Sequence, residues 1–209
     1  MVLKIQFVLL LVLFSGISHA QWARTNGPNG GYVADFTVNG NSIFAGTIDG
    51  IFKSEDTGLS WIRVSDLGPF TITVNGSTIF AGGSEILVRS TDNGNTWIDI
   101  SCNIPVNHIT SQLYVHNGIL FVGTSGAGVY RSTNNGNSFE AVNNGFGAFA
   151  FISSFASSGN LLFTGLTGSG GTVGVYVSSN EGNSWTQVVN GLPVNGMSTQ
   201  ALTVNGTDV

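Results

Sequence analysis

The stretch RSTDNGNTW, from Arg89 to Trp97, places a carboxylate, two asparagines and several hydroxyls around one glycine. Oxygen atoms of these kinds can coordinate a calcium ion, and a carboxylate can serve an active site. The same groups can also hold a tight turn together by accepting backbone hydrogen bonds. The stretch therefore allows a metal site, a corner of a catalytic site or a structural turn.

The pattern Ser-x-Asp/Asn-x-Gly-x-Ser/Thr-aromatic, here called the motif, occurs four times along the chain. Its four copies supply Ser54, Asp56, Gly58 and Trp61; Ser90, Asp92, Gly94 and Trp97; Ser132, Asn134, Gly136 and Phe139; and Ser178, Asn180, Gly182 and Trp185. A site for one reaction is normally built once, whereas a period of about 40 residues is typical of a repeat architecture.

The central acid of the motif is replaced by Asn134 and Asn180 in two of the four copies. A site for a hard cation depends on carboxylate ligands, so it would not lose them in half of its copies. Asn and Asp accept the same backbone hydrogen bonds in turns, and the glycine supplies a positive φ. We therefore expect a structural turn with a buried aromatic anchor, no bound metal and no cofactor.

Each period also contains four short β-prone segments separated by turn residues. In the first period, Val33–Val38 leads into Asn39-Gly40, which is a strong hairpin signal. Four-stranded units at this period are typical of the blades of a β-propeller. The sequence predicts an all-β fold of four-stranded antiparallel blades, with four full blades and part of a fifth, which is an incomplete propeller. The expected blades span about residues 30–68, 69–108, 109–148 and 149–197, and the fifth begins at 198.

The N-terminus has the pattern of a secretory signal peptide over residues 1–20, with a basic start, a short apolar run and small residues before Gln21. This predicts a secreted, extracellular or periplasmic protein, a mature domain over 21–209, and no membrane span after cleavage. The segment QWARTNGP aligns with SWIRVSDLGP, so Trp22 falls on Trp61. We expect Gln21–Thr25 to be a fourth strand that pairs with a missing C-terminal blade.

The composition excludes several functional classes. Charged residues make up 8% of the chain, and its formal net charge is −5. The few basic residues form no cluster, so a nucleic-acid partner is not expected. The single cysteine, Cys102, cannot form an internal disulfide, which means that the fold does not depend on such bridges.

The four copies SEDTGLSW, STDNGNTW, STNNGNSF and SSNEGNSW resemble the Asp-box, or BNR, repeat. The segment TVNGNSIFAGT is most similar to segments of large secreted bacterial Asp-box proteins. The resemblance implies a propeller of the sialidase, sortilin and xyloglucanase type. It also implies that the motif lies between the third and fourth strands at the rim, away from the central funnel where chemistry or binding occurs.

Catalytic residues are sparse in this pattern. Arg89 and Arg131 occupy the repeat position of Lys53, which predicts outer-strand surface and leaves no arginine triad of the sialidase kind. A glycoside hydrolase needs two carboxylates that face one cleft, and Asp35 stands alone in its first strand.

We therefore expect an exported, non-catalytic binding or scaffold module within a larger secreted protein, with a protein or glycan partner. The alternative is part of a polysaccharide-active glycoside hydrolase whose catalytic acids lie outside this chain. Candidate binding residues are Asp35, Phe146 and Phe149. For Asp35 the other interpretation is a solvated channel residue, and for the two phenylalanines it is packing between blades three and four.

Overall fold

The computed structural model describes residues 27–28, 32–105, 109–167, 173–190 and 199–204. The expected signal peptide and the expected closing strand Gln21–Thr25 lie outside these residues, as do residues 198 and 205–209 of the expected fifth blade. Within the described part of the chain, no helix is long and apolar enough to cross a membrane.

Sixteen strands form four sheets in the described ranges, and each sheet contains four strands that are consecutive in sequence. Every neighbouring pair is antiparallel. The strands are β1 Val33–Asn39, β2 Ser42–Thr47, β3 Gly50–Ser54 and β4 Ile62–Ser65; β5 Thr71–Asn75, β6 Thr78–Gly83, β7 Ile86–Ser90 and β8 Ile98–Asp99; β9 Thr110–His116, β10 Ile119–Thr124, β11 Val129–Ser132 and β12 Glu140–Ala141; and β13 Phe151–Ser158, β14 Leu161–Thr167, β15 Gly174–Ser178 and β16 Thr186–Val188. The predicted all-β fold of four-stranded antiparallel blades is confirmed.

Tight hairpins set the register of each blade. In blade one, Asn39 pairs with Ser42, so Gly40 and Asn41 form a two-residue turn in which Gly40 has a φ of 60°. Glycine is favoured at the first of these two positions because the turn requires left-handed backbone there. The Asn-Gly signals of the sequence therefore fix where strands one and two meet.

Apolar layers between the sheets form the core. A phenylalanine at the same position of the second strand fills each layer, and Phe44, Phe80 and Phe121 are all 0% exposed. Each of these rings packs against the following blade, as the contacts of the motif glycines show. Full burial of such a side chain contributes about 1.5–3 kcal/mol, so the stacking of blades is a major source of stability.

Consecutive strand connections alternate between two edges of the molecule, because the strands of each sheet are antiparallel and sequential. The motif edge carries the first hairpin tip of each blade and the motif loops, and Asn39 Nδ2 donates to Asn93 Oδ1 there at 3.2 Å. The connection edge carries the turns between strands two and three and the links from one blade to the next. Loops that carry function on repeat folds need such a rigid support.

Candidate functional site

The motif loops are closed hydrogen-bonded turns between strands three and four. In blade two, the Ser90 hydroxyl donates to Asp92 Oδ1 at 2.8 Å and accepts from the Gly94 amide at 2.8 Å. Asp92 Oδ1 also accepts from the Thr96 amide at 2.9 Å, and its Oδ2 accepts from the Thr96 hydroxyl at 2.6 Å. Both carboxylate oxygens are thus engaged within one short loop.

The carboxylates of the motif are held in the charged form. The Ser60 hydroxyl and amide lower the pKa of Asp56 to about 2, and the Thr96 hydroxyl and amide lower the pKa of Asp92 to about 2. Hydrogen bonds to the ionised form cause this shift, because they are lost when the acid is protonated. Among the described residues, no three His, Cys, Asp or Glu side chains group in a way that could hold a metal ion.

The motif glycines let the loops approach the preceding blade. Gly94 has a φ of 85°, and a Cβ built on it would lie 2.6 Å from Cε1 of Phe44. A Cβ on Gly136 would likewise lie 2.6 Å from Cδ1 of Ile100. These loops therefore form the joints between blades.

The arginines before the motif serine also join blades, which differs from the expected outer-strand surface position. The Arg131 guanidinium donates to the Glu181 carbonyl of the next blade at 2.7 Å and to Glu140 Oε1 at 2.6 Å. Arg89 donates in the same way to the Asn135 carbonyl. The sequence could not show this, because each acceptor lies in the following repeat.

Asp35 is engaged at the joint between blades one and two. Its Oδ2 accepts from the Ile72 amide at 2.9 Å and from the Thr71 hydroxyl at 3.2 Å, and its Oδ1 accepts from the Phe36 amide at 2.8 Å. Thr71 Oγ1 in turn accepts from the Leu113 amide of blade three at 3.1 Å. The carboxylate thus links the first strands of blades one and two, in contrast to the other interpretation of a lone solvated channel residue.

The two candidate phenylalanines have different environments. Phe146 stacks on Trp185 with ring centroids 5.2 Å apart and meets Tyr176 edge-on at 5.2 Å, so it packs in the layer between blades three and four. Phe149 lies only three residues further on, is 72% exposed and has a φ of 60°. Of the three candidate residues, Phe149 presents the most open side chain.

Phe149 borders a cavity of about 100 Å³ on the connection edge, here called the Phe149 pocket. The other lining residues are Gly126, Ala127, Gly128, Asn143, Gly147 and Ala150. A second cavity of about 240 Å³ lies on the same edge of blade two and is here called the Glu85 pocket. Its lining residues are Glu85, Ile86, Leu87, Ser101, Ile104, Pro105 and Thr110. Sequence reasoning missed the Glu85 pocket, and the only signal for it was the irregular link after the second motif.

Solved structures share this arrangement of blades. The chain superimposes on the Niastella koreensis GH74 enzyme with a TM-score of 0.58 at 20% identity, over 82% of this chain and 27% of that one. For the extracellular domain of the putative hybrid two component system BT4673 from B. thetaiotaomicron, the TM-score is 0.64 at 16% identity, over 81% and 23%. For YCF48 bound to D1 peptide, it is 0.55 at 16% identity, over 73% and 53%. At these identities the likeness concerns the fold alone.

The chain spans about a quarter of the length of the first two of these structures. No curated protein matches its sequence. The family model of the DUF6242 beta propeller domain, however, matches residues 68–208, which is well over half of the chain. This chain therefore belongs to the DUF6242 beta propeller domain family.

Proposed function

We propose that this propeller is an exported, non-catalytic binding module of the Asp-box repeat type within a larger secreted protein, and that it binds its partner through the connection edge. The observation that carries the proposal is Phe149, which is 72% exposed although it follows a tightly packed segment. Exposed aromatic side chains on rigidly supported loops are frequent binding anchors.

The loop around Phe149 is fixed on both sides. The Trp185 amide donates to the Asn144 carbonyl at 2.8 Å, and the Gly128 amide donates to the Ala150 carbonyl at 3.0 Å. Phe146 anchors the same loop in the apolar layer. A side chain held in this way loses little conformational freedom when a partner binds, which favours affinity.

The bonding of the acidic side chains supports a non-catalytic role. Asp35, Asp56 and Asp92 hold joints and turns, and Glu140 pairs with Arg131 at 2.6 Å. Glycoside hydrolysis needs two carboxyl groups on opposite sides of the scissile bond, one of them with a raised pKa. The alternative, a share in a polysaccharide hydrolase whose acids lie outside this chain, is supported by the fold likeness to a GH74 enzyme.

Export is supported by the N-terminal sequence and by the likeness to an extracellular domain. Expression from the native start codon in a Gram-negative host would test it. We expect mass spectrometry of the exported fraction to find a chain that begins at Gln21. An unprocessed chain retained in the cytoplasm would contradict export.

Binding and catalysis can be tested on the same preparation. We expect no release of reducing ends from xyloglucan or other soluble polysaccharides, with an active GH74 enzyme as positive control. We also expect some ligand, from a polysaccharide panel or a random-peptide library, to bind the wild type and to be lost in Phe149→Asn. Asn tolerates the left-handed backbone of this position.

The matched control for the binding test is Leu59→Asn on the motif edge. Leu59 is also an exposed apolar residue, at 63%, and the other three motifs carry Asn95, Asn137 and Asn183 at its position. Sugar release that disappears in Asp35→Asn would contradict the non-catalytic proposal. A ligand that binds wild type and Phe149→Asn equally would contradict the proposed site.

A further inference from the structure

The Glu85 pocket and the Phe149 pocket lie at equivalent repeat positions of neighbouring blades, blades two and three. In each, the amide at the start of strand three is capped by a side chain from the following link. The Leu87 amide donates to the Ser101 hydroxyl at 3.2 Å, and the Val129 amide donates to Asn143 Oδ1 at 2.7 Å. The pockets are therefore one blade apart on one edge, so an occupant that fills both must be elongated.

The residues at the two pocket rims share an unusual backbone conformation. Glu85 has a φ of 58° and Phe149 has a φ of 60°. Glutamate and phenylalanine rarely adopt this left-handed region, and strain of this kind tends to persist at ligand-binding positions. Both side chains are exposed, so the strained turns present them to a partner.

Several of the polar groups that line the Phe149 pocket are already paired. Asn143 Nδ2 donates to the Ala127 carbonyl at 3.0 Å, while its Oδ1 accepts from Val129. The Ala127 amide donates to Thr124 Oγ1 at 3.0 Å, and the Gly128 amide donates to the Ala150 carbonyl. A sugar ring needs hydrogen-bond partners for its hydroxyls, whereas an apolar side chain needs only contact. The pocket thus favours an apolar side chain of a protein.

The Glu85 pocket combines an apolar floor with negative charge. Leu87 is 1% exposed and Ile104 is 9% exposed, and the Glu85 carboxylate stands at the rim. Glu85 forms no ion pair with another described residue. Asp99 lies beside Ser101, and the hydrogen bonds from Ser101 lower the pKa of Asp99, which keeps it charged. Lysine and arginine side chains match such a site, since their stems cover apolar surface and their heads reach the carboxylate.

From these features, and given the binding role proposed above, we propose that the connection edge binds an extended protein segment across these two pockets. The segment places a basic side chain in the Glu85 pocket and an apolar side chain in the Phe149 pocket. Charge complementarity at Glu85 sets its direction along the edge, and Phe149 supplies the apolar anchor.

The test is selection of a random-peptide phage library on the immobilised full chain, followed by fluorescence polarisation with the enriched peptides. We expect enriched peptides to contain a basic residue and a separate apolar residue. Phe149→Asn should weaken their binding about tenfold or more, as expected for a central aromatic anchor. Glu85→Gln should weaken it severalfold and should reduce its dependence on salt, because screening acts on exposed charge pairs.

Two further variants keep the test specific. Leu59→Asn should leave peptide binding unchanged. Glu85→Lys should restore binding to a peptide whose basic residue has been changed to Glu, which a merely unfolded variant could not do. Matching thermal unfolding curves for all variants would verify that they fold.

A glycan array screened in parallel distinguishes failure of the protein-segment proposal from failure of the proposed binding function. Glycan binding that depends on Phe149, with no peptide enriched, would overturn the protein-segment proposal and leave the proposed binding function standing. Enriched peptides that bind Phe149→Asn and Glu85→Gln as well as wild type would also overturn it. Absence of both peptide and glycan binding would overturn both proposals.

Discussion

Blades one and two carry an aspartate at the centre of the motif loop, whereas blades three and four carry an asparagine. The loops are otherwise alike: the Ser60 amide lies 2.8 Å from Asp56 Oδ1, and the Ser138 amide lies 3.0 Å from Asn134 Oδ1. Only the bond to the hydroxyl reverses. Ser60 donates to Asp56 Oδ2 at 2.6 Å, whereas Asn134 Nδ2 donates to Ser138 Oγ at 2.8 Å.

This difference shows which property of the central residue the turn requires. An oxygen acceptor at Oδ1 is common to both kinds of loop, and a negative charge is not. Because a serine or threonine hydroxyl can both donate and accept, it adapts to either partner. The central residue of the motif therefore has a structural role, which four sets of variants would test.

The largest effect is expected at the glycines that contact the preceding blade. Gly94→Ala and Gly136→Ala should each destabilise the fold by about 3 kcal/mol, because the new Cβ meets a neighbouring side chain at 2.6 Å and the φ is positive. Gly58→Ala is the control, since its Cβ would meet only Trp61, at 3.8 Å, and should cost about 1 kcal/mol. Urea unfolding measures all three. Equal losses at Gly58 and Gly94 would show that backbone strain, and not contact between blades, decides the cost.

The motif serines should give the next largest effect, and it should be the same in both kinds of blade. Ser90 and Ser132 are 1% and 2% exposed, and each accepts from a glycine amide at 2.8 Å. Ser90→Ala and Ser132→Ala should each cost about 1–3 kcal/mol, because that buried amide loses its acceptor. Hydrogen exchange of the Gly94 and Gly136 amides should become faster. A clearly smaller loss in Ser132→Ala would mean that the asparagine loops are held differently.

Lowering the pH should destabilise the aspartate loops of blades one and two more than the asparagine loops of blades three and four. The pKa values of Asp56 and Asp92 are lowered to about 2 from 3.8, so the native state binds these protons more weakly than the unfolded chain does. Their contribution to stability is therefore complete above the unfolded pKa and is lost as the pH falls from about 4 to about 2. The double variant Asp56→Asn with Asp92→Asn should flatten this part of the stability curve.

The reciprocal variant Asn134→Asp should make the loss of stability in acid steeper. Urea midpoints at several pH values would measure both changes. The effect in the double variant is expected to be partial, since Ser101 also lowers the pKa of Asp99. An unchanged acid profile in the double variant would contradict the hydrogen-bond account of the aspartate loops.

The smallest effect is expected from Leu59→Asn, which gives the first motif the residue of the other three. Asn95 Nδ2 donates to the Asp92 carbonyl at 2.7 Å, and Asn183 Nδ2 donates to the Asn180 carbonyl at 2.7 Å. The new side chain can make the same bond to the Asp56 carbonyl and should stabilise the fold by about 0.5 kcal/mol. A small rise in melting temperature would measure it, and a fall would show that Leu59 makes an apolar contact of its own.

The features that the sequence predicts well are those whose partners lie nearby in the chain. The Ser90–Asp92–Thr96 bonds span at most four residues between neighbours, and the turn at Gly40-Asn41 closes between adjacent strands. Residue types and spacing therefore suffice for the blades and the motif loops.

Residues whose partners lie one repeat away could not be assigned in this way. Asp35 bonds to Ile72, and Arg131 bonds to Glu181, so their roles appear only when the blades are stacked. Phe146 and Phe149 stand three residues apart in one glycine-rich link, yet one is packed and the other is exposed. That difference depends on the position of Trp185 and on the positive φ at Phe149, and neither has a local signature.

The bonds from Arg89 and Arg131 end on backbone carbonyls, and this gives the motif edge freedom to diversify. The residues that carry those carbonyls are Asn135 and Glu181, and their counterparts in the first two motifs are Thr57 and Asn93. All four share a positive φ, with values from 54° to 59°. Since the Arg131 guanidinium recognises the main chain of Glu181, a mutation of the Glu181 side chain can change the surface without removing that bond between blades. The side chains of Asn93 and Asn135, by contrast, accept hydrogen bonds from Asn39 and Asn75 of the preceding blades. Glu181 is therefore a place where new surface chemistry can arise by drift, or be introduced by design, on a joint that keeps its arginine bond.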